Sequence, residues 1–138
     1  MSGSFTYLLD NDLVNHILGV TSYSAPTIYI GLSSTTPVVG GTGVTEPTIG
    51  TNGYARVSAT GTGVWNSASA GATSNLAAIN FPTATGSWAS GATMTFAVLY
   101  DAATGGNFLG FASLSVPQPV LTGNTLSIPI AGATLSLS

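Results

Sequence analysis

The stretch that most constrains the fold runs from Ala92 to Val116. Met94, Phe96, Val98 and Tyr100 alternate, Asp101-Ala-Ala-Thr-Gly-Gly-Asn107 follows, and the apolar pattern resumes from Phe108 to Val116. This reads as a β-hairpin. Asp101 is placed to accept hydrogen bonds from the backbone ahead of it, and Gly105 and Gly106 take positive φ without a Cβ clash, which together turn the chain. From Phe96 to Tyr100 the outgoing strand is apolar at odd and even positions alike, so neither of its faces suits water. It reads as a central strand.

The rest of the chain supplies short strands to surround it. Pro26 to Leu32 reads as a strand with Ile28 and Ile30 on one face, followed by strand-like runs at Tyr54 to Ala59, Gly63 to Asn66, Leu76 to Phe81, Asn124 to Ile130 and Ala133 to Leu137. Pro129 lies inside the pattern Leu126, Ile128, Ile130, and a residue without an N–H makes that run an edge strand or breaks it there. Gly-Ala-Thr recurs at Gly71, Gly91 and Gly132, and Gly-Thr-Gly-Val at Gly41 and Gly61. Their flanks do not match, so these are reused turn-to-strand signals and not a solenoid repeat.

One helix is predicted, from about Phe5 to Leu18, with Ser2 or Ser4 as N-cap and Gly19 as C-cap. Phe5, Leu9, Leu13 and Ile17 form one stripe, while Tyr7, Val14 and Leu18 gather on nearly the opposite side. A surface helix needs one apolar face, so the second stripe either lies deep in the fold or meets another chain. Between Thr35 and Asn52 the density of Pro and Gly defeats both regular periods, and a loop of that length in a compact domain reads as a contact arm. Its valines Val38, Val39 and Val44, with Tyr7, Val14 and Leu18, are the candidate interface residues. The expected architecture is one all-β domain over 1–138, an antiparallel β-sandwich or jelly roll, with a helical arm at 1–19 and the sandwich, including the loop 35–52, at 20–138.

Charge narrows the function classes. Charged residues are 4% of the 138, against about 25% in ordinary soluble domains. They are Asp10, Asp12, Glu46, Arg56 and Asp101, with His16 as the one histidine and no lysine. With 37 Ser and Thr the solvated surface is hydroxyl, amide and bare backbone, which repels itself weakly and favours packing against copies of itself or a scaffold. A single arginine cannot drive binding to phosphates by counterion release, so nucleic acid is not an expected partner. No apolar run approaches the roughly 18 residues of a membrane span, and the N-terminus carries no basic residue. A soluble protein made in the cytoplasm, with no membrane partner, is the expectation.

Catalytic and metal chemistry find little support. His16 lies one helical turn after Asp12, a spacing that serves local helix pairing more often than catalysis. No Gly-x-Ser-x-Gly elbow activates a serine. Asp10-Asn11-Asp12 opens like a calcium loop but lacks the later glycine and glutamate, and Gly40-Gly-Thr-Gly43 lacks a phosphate-loop lysine. Cysteine is absent. No enzyme activity, metal or cofactor is expected. Two constellations remain: Glu46 and Arg56 as a pair anchoring the loop, or as two solvated side chains, and Tyr23, Tyr29, Tyr54, Trp65, Trp88 and Tyr100 as a sugar platform, or as core aromatics.

Five segments in order carry a resemblance: Thr27-Ile-Tyr-Ile-Gly-Leu-Ser-Ser-Thr-Thr-Pro37, Thr45-Glu-Pro47 with Gly53-Tyr-Ala-Arg-Val57, Ile79-Asn-Phe-Pro-Thr-Ala-Thr-Gly-Ser-Trp88, the Asp101 to Gly106 turn, and the leading helix. Together they resemble a family of small tailed-bacteriophage virion proteins, often labelled tail-fibre proteins. Some members look instead like capsid cement or decoration proteins, jelly-roll-like subunits forming small oligomers on the head shell. The resemblance implies no catalytic residues. It implies a virion location on the capsid surface, with the major capsid protein and further copies of the chain, as dimer or trimer, for partners. A fibre needs length or shaft repeats, which this chain lacks, so cement is the first expectation and a tail-fibre or tail-tip module binding host glycan the alternative.

Overall fold

The computed structural model describes residues 3–137. In chain order the elements are β1 (Gly3–Phe5), α1 (Tyr7–Ile17), β2 (Tyr29–Ser33), β3 (Val57–Ser58), β4 (Ala72–Ser74), β5 (Ile79–Asn80), a 3-10 turn at Trp88–Gly91, β6 (Thr93–Tyr100), β7 (Phe108–Pro119), β8 (Ser127–Ile128) and β9 (Thr134–Ser136). Seven strands form one sheet in the order β3-β2-β6-β7-β1-β9-β4, and β5 pairs with β8 as a separate ribbon. The chain is thus an all-β sandwich of unequal layers with one N-terminal helix. All pairs in the large sheet are antiparallel except β1 with β9, which is parallel.

The hairpin at 92–116 is β6 and β7, and β6 lies between β2 and β7 as a central strand must. Its two apolar faces are both used. Ala97 and Leu99 enter the main core, which the ribbon and its flanks close with Ile79, Phe81, Leu126 and Ile128. Phe96 and Val98 point to the other face and form a small cluster with Phe111. Met94 departs from the simple alternation. A register irregularity between Met94 and Phe96 turns Met94 into the main core, although a regular strand would set it beside Phe96. In the turn, Asp101 Oδ1 accepts from Asn107 N at 2.6 Å and Oδ2 accepts from Asn107 Nδ2 at 2.9 Å, with Gly105 and Gly106 at positive φ.

Other strands are shorter than the patterns suggested. The run at Tyr54–Ala59 keeps only β3, and Gly63–Asn66 keeps an isolated bridge from Trp65 to Asn75. β8 stops at Ile128, immediately before Pro129, and pairs on one side with β5, as a residue without an N–H dictates. β4 coincides with the Gly71-Ala-Thr turn-to-strand signal, without an apolar run of its own.

The helix begins two residues later than its periodicity suggests. Ser4 and Phe5 belong to β1, because a slot between β7 and β9 offers ladder bonds on both sides. Thr6 takes the N-cap place without a side-chain cap, since its Oγ1 donates instead to the Phe108 carbonyl at 2.9 Å. Ser2 lies outside the described residues. At the other end Leu18 is the C-cap and Gly19 follows at φ 73°, with its N–H on the His16 carbonyl.

Candidate interaction surface

Two features stand out as candidate sites: a charged clasp beneath the loop 35–52, and an apolar groove along α1. The clasp is built around Arg56, which precedes β3. Its Nε donates to Glu46 Oε2 at 2.9 Å and its NH2 to Glu46 Oε1 at 2.8 Å, a bidentate pair. Its NH1 reaches the carbonyls of Ala102 and Gly105, each at 2.8 Å, inside the β6–β7 turn. The guanidinium also stacks on Tyr100, with Cζ 3.6 Å from the ring centroid. Both side chains are largely out of solvent, Arg56 at 4% and Glu46 at 14% exposure.

Tyr54 completes the arrangement. Its hydroxyl donates to Glu46 Oε2 at 2.7 Å and accepts from Leu32 N at 2.9 Å. Burial first, and then the neighbouring Glu46 carboxylate, push its phenol far above the ordinary tyrosine value, so it stays a donor. Burial works against the charge of Arg56, but hydrogen bonds and attraction from Glu46 outweigh it and hold the guanidinium protonated. Gly31 of β2 makes room: a Cβ there would collide with Glu46 Oε2 and the Tyr54 hydroxyl. Glu46 and Arg56 therefore pair as a loop anchor, and the anchor also grips the central hairpin. Nothing in the sequence pattern linked Arg56 to the carbonyls of the 101–107 turn.

The loop itself is folded down and not extended. Ser33, fully buried, accepts from the N–H groups of Thr35 and Thr45 at 3.2 and 3.0 Å and closes its base. Val39 and Val44 are half-buried against Phe96, Val98 and Phe111 of the chain's own sheet. The second face of β6 needed an apolar cover, and these two candidate interface residues provide it from within the chain, each keeping part of its surface open to solvent. Val38 alone of the three is exposed. The Val39 carbonyl also accepts the Tyr7 N–H at 2.9 Å, which satisfies a free donor in the first turn of α1. At the base of the loop a cavity of about 520 Å3 opens toward Ala89 and Ser90, two non-glycine residues in left-handed geometry that the sequence did not announce.

Along α1 the two stripes fare differently. Leu9 is buried and Leu13 packs on the core with Phe5, but Ile17 overhangs the body at 80% exposure. Tyr7, Val14 and Leu18 are all exposed, Val14 at 56% and Leu18 at 71%. The second stripe does not lie deep in the fold. A groove of about 360 Å3 runs between Leu13, Val14, Ile17, Leu18 and Leu137, with Asp10 at its side, where burial pushes the carboxyl upward.

Among the remaining candidates, His16 uses Nδ1 to accept the Tyr23 N–H at 3.0 Å, tying the helix end to the following segment. Tyr54 and Trp88 are 1% exposed and meet edge to face with centroids 5.0 Å apart, so the six aromatics divide between core and half-buried positions without forming a platform. Among the described residues no group of three or more His, Cys, Asp or Glu is arranged to hold a metal, and no helix is long and apolar enough to cross a membrane.

An all-β body with one helix, almost uncharged and apolar along that helix, has the character of a subunit in a larger assembly, and comparison with known families agrees. The chain is a bacteriophage virion structural protein. It belongs to the family described as Podophage GP4 fiber I protein gp80, whose model matches residues 4–136. No curated protein matches the sequence.

Proposed function

We propose that this virion protein is a capsid cement subunit, binding the assembled head shell through the exposed face of α1 and stabilising it without catalysis. The observation that carries the reading is the apolar groove of Leu13, Val14, Ile17, Leu18 and Leu137 on a body whose buried side-chain polar atoms all have partners among the described residues. Contiguous apolar surface on an otherwise complete domain marks a contact site. Its partners in this reading are the major capsid protein and neighbouring copies of the chain.

A subunit that binds only the assembled shell stabilises that shell by its binding free energy. Repetition over symmetry-related positions makes weak contacts sufficient. A second reading takes up the word fiber in the family's description and makes the module part of a fibre. The glycan-binding form of that reading lacks support from the aromatics, since Tyr54 and Trp88 are spent in the core.

Image reconstruction of particles with and without the protein tests the assignment. Cement predicts density on the shell, and particles that assemble without it but lose infectivity sooner on heating. Density confined to the tail, with heads equally heat-tolerant in its absence, overturns cement in favour of the fibre reading.

A further inference from the structure

The N-terminal strand occupies a slot with its own steric code. β1 lies between β7 and β9, with Ser4 opposite Phe111 on one side and Ser136 on the other. A Cβ on Gly3 would overlap the Phe111 carbonyl, and a Cβ on Gly110 would press on the Phe5 ring at 3.0 Å. The next position wants a hydroxyl and an N–H. Thr6, fully buried, donates Oγ1 to the Phe108 carbonyl and its N–H to the Leu109 carbonyl, both at 2.9 Å. Ser136 Oγ donates to the Gly3 carbonyl at 3.1 Å. The slot thus selects an extended Gly-x-aromatic-Thr, a pattern that Gly3-Ser-Phe-Thr6 alone meets in this sequence.

Beyond Thr6 the arm that carries this strand buries little of itself. Within α1 only Leu9 is buried. Residues 18–28 join it to β2 without regular structure. About ten such residues, if extended, span roughly 33–36 Å, enough to carry the arm from one body onto another.

We propose that the slot between β7 and β9 is an exchange site whose alternative occupant is the β1–α1 arm of a second copy of this chain. The occupant is fixed by the slot: a strand with a side chain at the Gly3 position overlaps the Phe111 carbonyl, and one without a hydroxyl at the Thr6 position loses the bond to the Phe108 carbonyl. A swapped arm makes the same bonds as a resident one, so exchange costs little beyond association and grows with chain concentration. The proposal concerns the free protein and stands under either reading of its place on the particle.

The chain has no cysteine, so introduced thiols report cleanly. Ser4 and Ser136 are register partners on adjacent strands, which places their Cα atoms about 4.8 Å apart, within disulfide range. Copies carrying Ser4→Cys and copies carrying Ser136→Cys would be mixed, refolded together at high concentration and oxidised. Exchange predicts a covalent heterodimer on non-reducing gels, about tenfold in excess of either same-variant dimer because the ladder raises the effective thiol concentration. A heterodimer no more abundant than the same-variant dimers overturns the proposal. The double variant in one chain gives an independent reading. It should close on itself when dilute and form covalent dimers when concentrated, and closure within single chains at every concentration also overturns exchange.

Discussion

Arg56 carries an unusual share of the interactions for one residue, because it is the only cation among the Lys and Arg positions and everything it binds comes from different parts of the chain. Glu46 brings the end of the loop, Ala102 and Gly105 bring the hairpin turn, and Tyr100 offers its ring. Replacing it with lysine keeps the charge but loses the fork and the stacking, so Arg56→Lys should cost about 2 kcal/mol in denaturant unfolding. Glu46→Gln strands the guanidinium and should cost about 3 kcal/mol; a change within error in both variants would show the clasp to be incidental. The pair was legible in the sequence only as two rare charges ten residues apart in a neutral chain. Its ties to backbone carbonyls were not, since carbonyls carry no sequence signal. At the hairpin turn the Asn107 N–H holds the Asp101 carboxyl below its ordinary value of 3.8. A folded value below the unfolded one means stability that is present above 3.8 and lost as pH falls through the lowered value. Asp101→Asn should therefore melt about 2 °C below wild type at neutral pH, a gap of roughly 0.5 kcal/mol given its exposure, and the two melting curves should converge in acid below 3.8.

At the scale of elements, the clearest lesson is in the first six residues. Phe5, Leu9, Leu13 and Ile17 have helical spacing, and the spacing is real for Leu9 and Leu13, yet Phe5 is in β1 and Ile17 hangs in solvent. Periodicity reports which residues share a face, not where the body beneath them ends. Nor does it report an open slot elsewhere in the sheet that captures Gly3 to Phe5 by bonding both edges. The loop 35–52 teaches the complement. The sequence showed β6 to need cover on both faces, and it showed apolar valines in a loop, but only the fold brings Val39 and Val44 to Phe96 and Phe111. The two stripes of α1 now separate by experiment. Leu9→Ala removes a buried side chain and should cost about 2–4 kcal/mol in the free chain. Val14→Ser with Leu18→Ser changes exposed positions and should stay within about 0.5 kcal/mol of wild type while weakening attachment to particles in co-sedimentation. Loss of stability in the serine variant equal to that of Leu9→Ala would mean that its face is structural and not a contact.

For the whole molecule the governing fact is how little charge is left over once the fold is made. Arg56 and Glu46 neutralise each other inside the clasp, and Asp101 is spent on Asn107. What the surface presents along α1 is Val14, Ile17 and Leu18, with Leu137 across the groove. Contacts made by such a surface draw on burial of apolar area and on backbone hydrogen bonds, neither of which is screened by small ions. Attachment to particles, and any association between copies, should accordingly change less than about twofold in apparent Kd as the Debye length shrinks from about 10 Å toward 3 Å, the range between 0.1 M and 1 M salt. Titrating labelled protein onto particles that lack it, at each ionic strength, measures this directly. A steep fall in binding with salt would mean that charge carries the contact, through Asp10 beside the groove and Asp12 facing a basic partner, and would overturn the apolar reading of the α1 surface. Binding that holds or tightens with salt is the behaviour of an apolar contact, because salts excluded from the protein surface strengthen burial while there is no ion pair to lose.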